Sequence, residues 1–84
     1  MTKVKNLRGT GGSSTNWKEY WEKATGRKFG DCSREGCNEK ATDGAHVKKV
    51  GETNKPYIVP LCHTCNLDYE SEFNVRDADL VPVN

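Results

Sequence analysis

Apolar and polar positions change their rhythm three times along this chain. The opening MTKVKNLRGTGGSS shows no sustained period, and its RGTGGSS stretch is flexible by composition, so residues 1–14 are expected to form an N-terminal arm. Order is expected from residue 15 onward, as a single domain over residues 15–84. Asn16, with Glu19 three positions later, makes a capping box, and Trp17, Tyr20, Trp21 and Ala24 recur at i, i+3, i+4 and i+7. That spacing predicts a short amphipathic helix, which Gly26 ends. Its aromatic stripe reads as core rather than as a platform for stacking bases, because an amphipathic helix normally buries such a face.

Beyond the helix the pattern shortens. GDCSREGC is a Gly-rich turn, Asp43-Gly44 is a turn signal, and Ala45 to Val50 read as extended. GETNKP makes a polar turn, and YIVPL is β-branched and apolar, the returning strand of a hairpin. Pro60 donates no ladder hydrogen bond and is expected at the strand's end or on an edge. HTCNLDYESEF is expected to wind one or two helical turns from His63, a helix that would carry Asp68, Glu70 and Glu72. The tail FNVRDADLVPVN alternates loosely and is expected to add a short terminal strand. These elements predict an α+β fold.

Composition makes a staple necessary. Only 33% of the 84 residues are hydrophobic and 30% are charged, so burial alone gives a marginal domain. The four cysteines are the candidate: Cys32-x4-Cys37, a hairpin-length interval, then Cys62-x2-Cys65. Two close pairs brought together by folding are what a tetrahedral zinc ion needs. Four thiolates at roughly 2.3 Å close the coordination sphere and leave no position for water, which makes such a site structural. His46 and His63 allow Cys3His alternatives, but His63 points away if both its cysteine neighbours coordinate, and four cysteines are the simpler set. No stretch reads as a signal peptide or a bilayer span, so no membrane is expected and the chain is placed in the cytoplasm. There paired cysteines more often hold metal; the disulfide alternative requires export.

Net charge is +1, which points to no partner, but its distribution is uneven. Residues 1–34 carry eight basic and three acidic side chains, and residues 66–84 carry one basic and five acidic. Lys3, Lys5, Arg8, Lys23, Arg27, Lys28, Arg34, Lys48 and Lys49 are the candidates for phosphate contact. A solvated surface with uneven charge is the plainer alternative.

The order of features resembles the treble-clef zinc finger: a knuckle, a β-hairpin, and a second knuckle whose last cysteine opens a helix. GAHV followed by YIVPLCHTCN resembles, within that group, the HNH endonucleases that carry two structural cysteine pairs. The same motifs, with the closing LVPVN, are similar to those of small bacterial and phage proteins. The HNH resemblance implies a divalent hydrolytic ion, His46 as general base and Asn66 as the helix ligand to that ion. Ala45 stands where the family places a further ligand, and Tyr57 where it places an orienting asparagine; Asn54 is nearby but off register. The implied function is therefore an HNH-like zinc module with an incomplete catalytic set that contacts nucleic acid. The alternatives are a divergent HNH nuclease using a second divalent metal, and a zinc-stapled adaptor for a protein partner.

Overall fold

The protein is seen in a computed structural model that describes residues 1–8, 15–53 and 55–83. The elements are β1 (Thr2–Asn6), α1 (Trp17–Thr25), β2 (Asp43–Lys49), β3 (Tyr57–Leu61), α2 (His63–Asn66), β4 (Glu72–Val75), a 3-10 turn (Asp77–Asp79) and β5 (Val81–Pro82). The strands form one antiparallel sheet in the order β4-β1-β2-β3-β5. The fold is α+β, and among the described residues no helix is long and apolar enough to cross a membrane.

α1 forms where the sequence places it. Asn16 caps it by accepting from the Glu19 amide at 3.1 Å, and Gly26 ends it at φ 72°, donating to the Glu22 carbonyl. Trp21 is the buried member of the stripe, its indole N–H donating to the Asp79 carbonyl at 2.8 Å. Trp17 and Tyr20 are half-buried, whereas Ala24 is exposed. The helix packs on β2, β3 and β5.

Three expectations need correction. Residues 2–6 do not belong to an arm: β1 lies inside the sheet, with Val4 fully buried between Phe73 of β4 and Lys49 of β2. Residues 9–14 of the expected arm lie outside the described residues. Asp43-Gly44 is not a turn but the start of β2, and its glycine answers to close approach. A Cβ on Gly44 would stand 2.7 Å from the Trp17 carbonyl carbon, so only glycine lets α1 settle on the strand. The second helix stops at Asn66, leaving Asp68 and Glu70 in the following loop and Glu72 on β4. Polar neighbours that bond elsewhere end it: the Asp68 carboxylate accepts from the amides of Glu70 and Ser71, building a turn where a helix would need to continue.

Pro60 is the penultimate residue of β3, near the strand's end as expected. β5 pairs only with Tyr57 and Ile58, and the Pro60 carbonyl accepts from the Ser33 amide on that outer side. Its missing N–H faces no strand that would require it.

Strand alternation divides the sheet into two faces. Val4, Asn6, Ala45, Val47, Tyr57, Val59, Leu61, Phe73 and Val75 line one face, and the cysteines pack over them. The opposite face carries Gly44, His46 and Ile58 beneath α1.

Candidate metal centre

Two loops deliver the cysteines to one point. The first knuckle closes through the Cys32 amide donating to Glu39 O at 2.8 Å and the Cys37 amide donating to Arg34 O at 3.1 Å. Gly36, at φ 85°, supplies the left-handed turn between them. The second knuckle begins as β3 ends: Cys62 caps α2, its carbonyl accepting from the Asn66 amide at 2.9 Å, and Cys65 lies on that single helical turn.

The four ligand sulfurs all lie within 4.8 Å of one another, and Cys37 Sγ stands 3.8 Å from Cys62 Sγ. A tetrahedron with metal–sulfur bonds of roughly 2.3 Å has an edge of about 3.8 Å, so the spacing fits a tetrathiolate ion. All four are free cysteines. Cys32, Cys62 and Cys65 are buried, and Cys37 is half-buried. The chemistry of the donor set fits too, since clustered thiols favour soft or borderline ions over calcium or magnesium.

Burial pushes the Cys65 thiol up to about 12, with the neighbouring thiols adding to the rise. Burial likewise raises Cys32, while a backbone hydrogen bond at Glu39 holds Cys37 below its ordinary value. Deprotonating such a cluster needs a compensating cation, which a metal ion supplies. Arg34 adds positive charge from outside the set, placing NH1 3.9 Å from Cys65 Sγ and 3.0 Å from Asp68 Oδ2.

Other side chains hold the knuckles in place. Asn6 on β1 donates from Nδ2 to the carbonyls of Cys65 and Asp68, both at 2.8 Å. Asp43 Oδ2 lies 2.9 Å from His63 Nδ1 and accepts from Asn66 Nδ2 at 2.9 Å, pinning α2 to β2. Burial alone would raise the Asp43 carboxyl, but hydrogen bonds from His63, Asn66 and Thr42 keep it below the usual carboxylate value.

The residues nominated from the sequence thus separate. Cys32, Cys37, Cys62 and Cys65 come together. His46 and Asn66 do not: alternation along β2 turns His46 to the α1 face, edge-on to Trp17 at 4.6 Å between ring centroids. Asn66 bonds to Asp43, whose side chain lies on the cysteine face. Burial lowers the His46 pKa. His63 points away from the cysteines, as its flanked position suggested, and its side chain is 72% exposed. Ala45 and Tyr57 are both buried on the cysteine face, and Asn54 lies outside the described residues. Asn6, Asp43 and the Arg34–Cys65 contact were not anticipated. A five-residue stretch with one apolar position carries no signal for Asn6, and the sequence reading of Arg34 is a phosphate contact.

No family profile, curated protein or solved structure matches this chain.

Proposed function

We propose that the protein is a zinc-stapled, treble-clef-like module that contacts nucleic acid without performing hydrolysis. The four-sulfur cluster carries this reading: a closed set of thiolates holds zinc as a structural ion and leaves no position for an attacking water. The two knuckles flank the β2–β3 hairpin and the second opens α2, the order of a treble clef. In this reading His46 is a packing partner of Trp17, because a general base needs a reacting water and a metal within reach.

Charge supports the nucleic-acid half. Most cations near the first knuckle are neutralised within the fold: Arg27 by Asp79, Arg34 by Asp68, Lys28 by Glu22 and Lys40 by Asp31. Arg8 and Lys23 likewise meet Glu70 and Glu19. Lys3, Lys5 and Lys48 instead share one face of β1 and β2, with Lys5 directly opposite Lys48. Like charges directly opposite one another are unfavourable in a sheet, and a phosphate backbone would relieve them. Glu72 flanks Lys5 on its other side and Lys5 Nζ donates to the Tyr69 carbonyl, so Lys3 and Lys48 are the freer pair.

Metal analysis of the purified protein should find one zinc per chain. Fluorescence anisotropy with single-stranded and duplex oligonucleotides at two salt concentrations tests the contact. Affinity should fall as salt rises, and each of Lys3→Gln and Lys48→Gln should reduce the salt slope by about one. Absence of binding at low salt overturns the nucleic-acid half and leaves a protein adaptor. Magnesium- or manganese-dependent cleavage that disappears in His46→Ala overturns the non-hydrolytic half.

A further inference from the structure

The four thiols of the centre have unequal surroundings. Cys32, Cys62 and Cys65 are 1%, 7% and 7% exposed. Cys37 alone is half-buried; it lines an open cleft with Lys40, Thr42, His63 and Thr64, and Cys62 and Cys65 border the same cleft but expose less of their surface to it. Cys65 has a further screen in Arg34, whose NH1 points at its sulfur from 3.9 Å. That guanidinium is not free to leave: Asp68 Oδ2 holds it at 3.0 Å, and it stacks over the Phe73 ring at 4.6 Å to the centroid. A cation beside a thiolate withdraws electron density and lowers its intrinsic nucleophilicity, while burial denies a reagent its approach. Among the described residues no charged side chain makes a comparable contact with Cys37.

We propose that Cys37 is the labile ligand of the metal centre, the thiolate through which small soft electrophiles attack and open it. The other three ligands are screened by burial, and Cys65 also by Arg34. This rests on the reading of the cluster as a zinc site. With iodoacetamide the step is a substitution. Cys37 Sγ forms a bond to the reagent's methylene carbon, the carbon–iodine bond breaks, and iodide leaves with its electron pair. The resulting thioether is neutral and a poor ligand, so each alkylation at Cys37 removes one of the charges that hold the ion.

The test is limited alkylation of the zinc-loaded protein with substoichiometric iodoacetamide. Labelled peptides are mapped by mass spectrometry over time while a chromogenic chelator reports zinc. Cys37 should carry roughly tenfold more label than any other cysteine at the earliest points, with zinc appearing in step. In Arg34→Gln, labelling of Cys65 should rise several-fold relative to Cys37. Early label on Cys62 or Cys65, or equal label on all four, overturns the inference in the unmodified sequence, whether or not the variant folds. Zinc content measured beforehand separates the two failures. Protein that binds no zinc overturns the metal reading and this inference together, whereas zinc-loaded protein labelled elsewhere overturns this inference alone.

Discussion

Asp79 is 3% exposed, and its carboxylate gathers three donors: Ser33 Oγ at 2.8 Å, Arg76 Nε at 2.9 Å and Arg27 NH2 at 3.0 Å. Ser33 belongs to the first knuckle, so one carboxylate ties the 3-10 turn to the loop that presents Cys32 and Cys37. Burial alone would raise its pKa, but the bonds from Arg76, Ser33 and Arg27 hold it below the usual carboxylate value. A carboxyl depressed in the folded state gives stability that is complete above its unfolded pKa of about 3.9 and is lost as pH falls through the lower folded value. Asp79→Asn removes the charge and leaves two guanidinium groups without their partner, which should cost about 2–3 kcal/mol at neutral pH. Urea unfolding of both proteins from pH 7 down to pH 2 would show the gap closing in the acid range. A gap that stayed constant over that range would mean that the carboxylate's charge contributes nothing. Within RDAD only Arg76, three residues before it, is a local partner; the donors at positions 27 and 33 are united with this aspartate only by folding.

Elements defined by their own residues were legible, and elements defined by their neighbours were not. α1 carries its cap, its apolar period and its stop within residues 16–26, and YIVPL is apolar at every position because β3 is buried throughout. The cysteine spacing likewise states its chemistry locally. β1 does not. TKVKN contains one apolar residue, Val4, and its second inward position is Asn6, whose partners are the backbone carbonyls of Cys65 and Asp68. A one-sided strand of five residues gives the pattern too little to work with, and the glycines that follow suggested an arm. The difference has a measurable consequence. An arm is dispensable, but removing residues 1–6 would expose the flanks of β2 and β4, uncover Phe73 and Val47, and free the Cys65 knuckle from Asn6. The truncated protein should lose its cooperative thermal transition and bind zinc at least tenfold more weakly, since supports of a metal ligand are typically worth 10–100-fold, roughly, in affinity. A truncation that melts and binds like the full chain would return residues 1–6 to the status of an arm.

At the scale of the whole molecule, one sheet serves two faces. The cysteines belong to the apolar cluster on one side, while Trp17 and Trp21 lie on the other, in α1. The strands between them are shared: β2 presents Ala45 and Val47 to the knuckles and Gly44 and His46 to the helix, and β3 does the same with Val59 and Ile58. The faces are therefore expected to fail together. Zinc bound at a hundred times its dissociation constant stabilises the folded state by about 2.7 kcal/mol, and a structural site in a domain this small contributes a large share of the folding free energy. Titration with a strong chelator under reducing conditions should remove zinc and red-shift the tryptophan emission in a single coincident transition, although both tryptophans are on the face away from the cysteines. Readdition of zinc should restore both signals. Zinc loss that left the tryptophan emission unchanged would show that α1 and the sheet stand without the knuckles, and that the cysteine cluster is an attachment rather than the staple of this fold.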